Sequence, residues 1–295
     1  MKLLITGGCG FIGSHTAKLA VQSGYEVRVV DAIDPLIRLE GIEYLRGDVR
    51  SKEICSKALS GIDRVLHLAA YSRSGPSISM WPECLDTNIN GTINILEAAL
   101  KVNVSKFIYA GSSTFYGNQL GIQKVGDRGD FLNFYGLSKF VGEELTNQFS
   151  MHLGLNSINL RYFNVYGPGQ PTEGPYGLVM GIFSEAKRHG RKVQIHGSGQ
   201  QRRDFIHVSD VANANLVALK SEFSCRTYNI GSGENISIAE LAKLFGLETE
   251  YVERRKGDAE VTLADIGQTI ADLAWKPEMS LNDGIRNLVE GEETL

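Results

Sequence analysis

Through the first half of the chain, short apolar runs alternate with stretches whose apolar positions recur at a helical period. The apolar runs predict strands over residues 2–6, 26–31, 44–46, 64–69, 106–110 and 156–162. Helices are predicted over 13–23, 51–59, 88–103 and 135–154. Strand–helix–strand alternation, with runs as rich in valine as Val27-Arg28-Val29-Val30, implies an α/β fold: a doubly wound parallel sheet covered on both faces by helices. After about residue 165 the periodicity loosens into loops such as Gly167-Pro168-Gly169-Gln170-Pro171. A second, smaller α/β lobe is expected there, of the irregular kind that carries specificity.

The 295 residues suffice for two lobes, and 42% hydrophobic with 22% charged residues is an ordinary globular composition. The apolar run over 65–71 stops far short of a membrane span, and residues 1–6 read as a first strand rather than a signal peptide. Cys9, Cys55, Cys84 and Cys225 are scattered without metal-type spacing, so free thiols in a reducing cytoplasm, and no metal, are expected. A net charge of −4 argues against nucleic acid or a membrane as partner. Any polyanionic ligand must then be held by a few local cations and backbone amides.

Such amides are offered by Gly7-Gly8-Cys9-Gly10-Phe11-Ile12-Gly13, which places glycines directly between a strand and a helix. Gly7 permits the tight turn, Gly10 lets a pyrophosphate approach the backbone, and Gly13 lets the helix pack close to the sheet. The N–H groups of Phe11 and Ile12 at the positive end of that helix then face the phosphates. Asp31 ends the second strand, where an acid is expected to bond both ribose hydroxyls. A 2′-phosphate there would meet a carboxylate with no arginine within residues 32–35 to offset it, so NAD is expected rather than NADP. Asp48-Val49 follows the third strand, where an adenine can be met; an aspartate at a strand end serves equally well as a turn or helix cap.

Tyr135 and Lys139 lie one turn apart on one face of a predicted helix. For the phenol to act as a base near neutrality its pKa must fall by roughly 3 units, about 4 kcal/mol. A neighbouring ammonium and a nicotinamide cation can supply much of that. Taken alone, such a pair is more often a solvated helix face. Ser112-Ser113-Thr114, at the carboxyl end of the strand over 106–110, changes that balance, because parallel sheets bind ligands at that end.

The glycine loop, Asp31, Leu66-His67-Leu68-Ala69-Ala70, Ser112–Gly117, Tyr135–Lys139 and the run from Arg161 through Asn164 to Pro168 stand in the order found in the extended short-chain dehydrogenase/reductases. More closely, the chain resembles the NAD-dependent nucleotide-sugar epimerase/dehydratase family, particularly UDP-glucose 4-epimerase-like members, and the similarity continues through Arg203–Val208, Asn229–Gly231 and Trp275–Pro277. The resemblance implies a Rossmann-type NAD domain over 1–165 with 204–230, and a substrate lobe over 166–203 with 231–295. It makes Tyr135 the acid/base, Lys139 the residue that holds the nicotinamide ribose and tunes Tyr135, and Ser112 the hydroxyl partner. Leu68, Ala69 and Ala70 would line the cofactor and Ser113 the substrate. Asn164, Arg203 and Arg255 match family positions that bind the substrate's diphosphate, where arginines form bidentate, charge-assisted bonds. Without the resemblance, solvated surface charge would be the default reading of Arg255, and His67 reads as a packed residue. Residues 118–133 depart from the family's acidic, proline-rich stretch, having neither proline nor glutamate; Gly111 stands where a serine is frequent, and Ala274 where a glycine is common.

Related sugar dehydratases need an Asp–Glu pair after the catalytic hydroxyl, and related decarboxylases a glutamate two residues after it. Ser113 and Thr114 stand there instead, and neither is an acid/base group at neutral pH. Keto-sugar reductases generally use NADPH, which Asp31 disfavours. What remains is a reversible redox cycle at C4 of a UDP-hexose: a 4-epimerase. Another NAD-dependent nucleotide-sugar reaction, or a non-catalytic NAD-binding regulator, is the alternative. By the resemblance, Thr262 borders the hexose and is small enough to admit UDP-N-acetylhexosamines beside UDP-glucose and UDP-galactose. The helices over 88–103 (Ile89, Ile93, Leu96, Leu100) and 135–154 (Leu137, Phe140, Val141, Leu145, Phe149) carry more apolar positions than one sheet-facing stripe needs. Family members pair these helices across a two-fold axis, so a homodimer is expected; a wide core-facing stripe is the alternative.

Overall fold

The computed structural model describes residues 1–172, 177–254 and 258–291. Strands β1 (Lys2–Thr6), β2 (Glu26–Asp31), β3 (Ile42–Arg46), β4 (Arg64–His67), β5 (Lys106–Ser112) and β6 (Ser157–Tyr162) are followed by β7 (Asn164–Tyr166), β8 (Val193–His196), β9 (Arg202–Arg203), β10 (Phe205–His207), β11 (Arg226–Ile230), β12 (Ile236–Ser237) and β13 (Thr249–Val252). Seven of them form one sheet in the order β11-β6-β5-β4-β1-β2-β3, and every neighbouring pair is parallel. The chain starts at β1 and winds outward in both directions, which leaves a crevice beyond the carboxyl ends of β1 and β4.

Each face of the sheet buries its own apolar cluster. Leu3, Ile5, Val27, Val29, Leu66 and Ile108 pack on one side with Ala17, Ala20, Val211 and Ala214 of helices Phe11–Gln22 and Val208–Lys220. Leu4, Val30, Val65 and Phe107 pack on the other with Ile95, Leu96 and Ala99 of helix Gly91–Lys101. Alternate residues of one strand thus serve opposite cores, which explains the near-continuous apolar runs. A third cluster, including Tyr166, Met180, Phe183, Phe205, Leu241, Phe245 and Ile285, is the core of the smaller lobe.

Helix Phe134–Leu153 inverts the usual amphipathic rule. Its buried positions are Gly136, Ser138, Lys139, Gly142, Glu143 and Thr146, all small or polar. Gly142 allows this close packing, because a Cβ there would stand 2.1 Å from the Tyr109 hydroxyl. Of the expected apolar positions, Leu145 and Phe149 join the second cluster and Phe140 packs beside Phe115 and Phe131. Leu137 and Val141 stay partly exposed and outside every cluster, as do Ile89 and Ile93. The helix expected from residue 88 begins as a π turn over Asp86–Asn90, where the Asn88 carboxamide bonds both the N–H and the carbonyl of Tyr71. Ala274, in the place of a common glycine, caps a helix in the left-handed region at φ 50°, a conformation that costs a residue with a Cβ roughly 1–2 kcal/mol. Among the described residues no helix is long and apolar enough to cross a membrane.

Candidate active site

The crevice opens into a cleft of about 810 Å³. Its first end is built on backbone. Gly7 turns at φ +70°, and a Cβ on it would come within 2.7 Å of the Ala69 amide nitrogen. Gly10 is the N-cap of helix Phe11–Gln22 and offers no capping side chain, so the amides of the first turn are left for a ligand. Gly13 lies so close to the loop that a Cβ would stand 2.2 Å from the Gly7 carbonyl oxygen. Gly7, Gly10, Phe11, Ile12, Gly13, Asp31, Asp48, Val49, Leu68, Ala69 and Ala70 all line the cleft. β4 ends two residues earlier than expected because Leu68 and Ala69 leave the sheet to form this wall.

Asp31 fixes the loop as well as facing the cleft: its carboxylate accepts from the Cys9 N–H at 2.9 Å and the Ile33 N–H at 3.2 Å. Burial pushes its pKa up, against those hydrogen bonds. Asp48 combines both roles expected of it. It lines the cleft, and it takes a forked pair from Arg50 together with the Arg50 N–H, which holds its carboxyl below the usual range. These residues fit a dinucleotide: glycines that let the loop, the helix and the Leu68–Ala69 wall pack closely, uncapped amides, and a carboxylate at the ribose position.

β5 delivers Ser112 to the middle of the cleft, running two residues further than expected to pair with Tyr162. The Asn133 carboxamide caps helix Phe134–Leu153 through the Gly136 N–H at 2.9 Å, which sets Tyr135 and Lys139 opposite. Ser112 and Tyr135 line the same cleft, and Ser112 accepts from the Thr114 hydroxyl at 2.9 Å. Burial raises the Tyr135 pKa, with Ser112 and the charge of Arg73 acting the other way. Lys139 is buried, its ammonium 4.5 Å above the Tyr109 ring, and burial brings its pKa down to about 7. His67 is packed between the Thr6 and Thr92 hydroxyls, at 2.7 and 3.0 Å, and burial lowers its pKa to about 3. It stays neutral near pH 7.

At the second end, Ser113, Asn164, Gln170, Gln194, Gln201 and Arg203 line the wall. Arg203 spends one N–H group on the carbonyls of Arg202 and Glu260, at 2.9 and 3.3 Å. Both N–H groups of the Asn164 carboxamide are already engaged, by the Asp204 carbonyl at 2.8 Å and the Thr262 hydroxyl at 2.9 Å. Contact with a diphosphate would need one of those bonds exchanged. Thr262 is not among the residues that line the cleft. Its hydroxyl is turned inward and accepts from Asn164 and from the Asp204 N–H at 3.0 Å, so the hexose-wall role expected for it has no support in the geometry. Arg255 lies outside the described residues. One group escaped the sequence reading: Gln170 is buried and lines the cleft, and among the described residues neither end of its carboxamide has a hydrogen-bond partner. A polar residue inside a Gly/Pro loop was the available signal.

A parallel sheet with an uncapped glycine loop at its switch point defines an NAD-binding enzyme of Rossmann type. Residues 3–231 match the pattern of the NAD dependent epimerase/dehydratase family, and the chain belongs to that family. It is 34% identical to a putative UDP-glucose 4-epimerase of Methanocaldococcus jannaschii, over 97% of both chains. The structure is similar to that of UDP-glucose 4-epimerase from Thermotoga maritima with UDP-glucose, at a TM-score of 0.93 and 31% identity over 98% of each chain. It is also similar to UDP-N-acetylglucosamine 4-epimerase from Methanobrevibacter ruminantium in complex with UDP-N-acetylmuramic acid, at 0.92 and 27% identity, over 98% of this chain and 97% of that one.

Proposed function

We propose that the protein interconverts the C4 epimers of a UDP-hexose, with UDP-glucose and UDP-galactose as substrates and, on its similarity to the UDP-N-acetylglucosamine 4-epimerase and not on Thr262, UDP-N-acetylhexosamines as well. The observation that carries this reading is that Tyr135, Lys139 and Ser112 line one cleft, with hydroxyls and no carboxylate at the next two positions, Ser113 and Thr114. Tyr135 takes the proton of the sugar 4-hydroxyl, and Ser112 bonds the same oxygen as it becomes a carbonyl. Bound NAD supplies the oxidation and the matching reduction at C4. Lacking an acid at 113 or 114, the protein has nothing there to expel water from the 4-keto sugar. The keto-sugar turns over within the cleft, and Tyr135 returns its proton to the 4-oxygen. Arg203 holds the diphosphate while the hexose turns, with Arg255 as its partner. Residues 1–165 with 204–230 hold NAD in this reading, and 166–203 with 231–295 hold the sugar nucleotide.

NMR of the protein incubated with each UDP-sugar should show both 4-epimers approaching one equilibrium from either side. Elimination of water, or net accumulation of NADH, would refute the reaction. Tyr135→Phe should bind NAD as the parent does and lose roughly 1,000-fold in turnover.

The partly exposed face of Ile89, Ile93, Leu137 and Val141 supports a homodimer, as does the nearby contact of the Trp81 and Phe134 rings, 5.9 Å apart and 48% and 36% exposed. Light scattering should give twice the 32.3 kDa chain mass. Free thiols at all four cysteines support a cytoplasmic setting.

A further inference from the structure

One turn beyond Lys139 on the same buried helix face lies Glu143, so Tyr135, Lys139 and Glu143 follow one another at intervals of four residues. Glu143 is 3% exposed and is gripped by both arms of the Arg161 guanidinium, at 2.9 and 2.7 Å. Arg161 itself is 4% exposed. Its plane stacks 3.7 Å from the Phe115 ring centre, and its third nitrogen reaches the Tyr116 hydroxyl at 2.9 Å and the Val125 carbonyl at 3.1 Å. Gly111 makes room for it, since a Cβ there would stand 3.2 Å from the Arg161 side chain. One guanidinium therefore joins the helix of Tyr135 and Lys139 to the turn that follows Ser112 and to the stretch 118–133.

We infer that Glu143 is a positioning residue for the reaction: clamped by Arg161 one helical turn from Lys139, it keeps the Lys139 ammonium charged beside Tyr135. The groups that face Lys139 from the other packed elements cannot do this. His67 of β4 is neutral, Tyr109 of β5 offers a ring face and a hydroxyl bonded to the Lys139 carbonyl, and Cys84 is a buried thiol whose pKa burial raises. Burial lowers the Lys139 pKa to about 7, with the charges of Cys84 and Glu143 acting the other way; since burial keeps Cys84 a neutral thiol, Glu143 is the carboxylate left to oppose it. A buried pair of this kind adds little net stability over an apolar pair of the same shape. Its location next to Lys139 gives it a different use.

This role presupposes Tyr135 and Lys139 as the reacting pair, which Lys139→Met tests separately: normal turnover in that variant would overturn both statements. Glu143→Gln should shift the alkaline limb of the kcat–pH profile to lower pH by about one unit, because Lys139 then loses its proton sooner. Glu143→Asp keeps the charge and should leave that limb within a few tenths of a unit of the parent, even though its stability falls. A structural role alone would lower the melting temperature of both variants and move neither limb. If Glu143→Gln does not fold, Glu143→Gln with Arg161→Met removes both charges and reads the same limb. A folded variant lacking the Glu143 carboxylate whose alkaline limb coincides with the parent's would overturn the inference.

Discussion

At the cofactor end of the cleft, the wall is mainly backbone from contiguous chain: a strand end, the four loop residues Gly7–Gly10 and the first turn of a helix. At the sugar end it is made by side chains from stretches remote in sequence, among them Ser113, Asn164, Gln170 and Arg203. The first kind of site is set by what must be absent, namely a Cβ. The second is set by what each side chain is already bonded to. An addition of one methyl group should therefore be ruinous at the first end. At the second, removing single polar atoms should change affinity in steps while the fold survives.

Gly13→Ala puts the first half of that contrast at risk. Its Cβ would meet the Gly7 carbonyl at 2.2 Å and the Gly8 Cα at 2.6 Å, both backbone atoms that cannot swing aside. Overpacking of this kind costs about 1–3 kcal/mol or more, so NAD affinity by titration calorimetry should fall roughly 100-fold. Near-normal NAD affinity would show that the loop is softer than its spacing implies. Arg203→Met probes the other end. Losing a charge-assisted contact costs about 1.5–3 kcal/mol, so KM for the UDP-sugar should rise roughly 10- to 100-fold. NAD affinity should not change, and an equal loss at both ends would dissolve the distinction.

The same contrast governs what could be read from the sequence. β1 and β2 have the expected bounds, and the glycine loop lies where its spacing placed it, because local chain geometry dictates both. Helix Phe134–Leu153 was legible as a helix, but its buried polar stripe was not. Amphipathic reasoning sends Lys139 and Glu143 to solvent, whereas the partner on β6, Arg161, holds Glu143 inside. Thr262 shows the limit of resemblance. The family likeness assigned it to the hexose wall, whereas a hydroxyl captured by Asp204 and Asn164 turns it inward. The sequence cannot show that a side chain is already engaged elsewhere.

Gln170 sharpens the picture of the sugar end. Its buried carboxamide has no partner among the described residues, which implies a desolvation cost of about 1–3 kcal/mol that a substrate hydroxyl or acetamido group can offset. Gln170→Met keeps the length and removes both polar ends. In the protein without substrate the melting temperature should rise by roughly 2–4 °C, while KM for the UDP-sugar rises about five- to tenfold. A lower melting temperature with unchanged KM would mean that the amide is part of the scaffold.

Thr262→Val should give the smallest effect and separates two accounts of one residue. Valine has the shape of threonine without the acceptor, and the buried site, 7% exposed, can hold it. The Asp204 N–H then loses its partner, at about 1–2 kcal/mol of stability, and Asn164 keeps only its bond to the Asp204 carbonyl. A carboxamide held by one bond instead of two swings more freely at the cleft wall. KM should therefore rise about three- to fivefold, by the same factor for UDP-galactose and for UDP-N-acetylgalactosamine, because what is lost is a tether and not a wall. A change confined to the acetamido sugar would place Thr262 at the hexose after all, and would mean that the inward hydroxyl is exchanged when substrate binds.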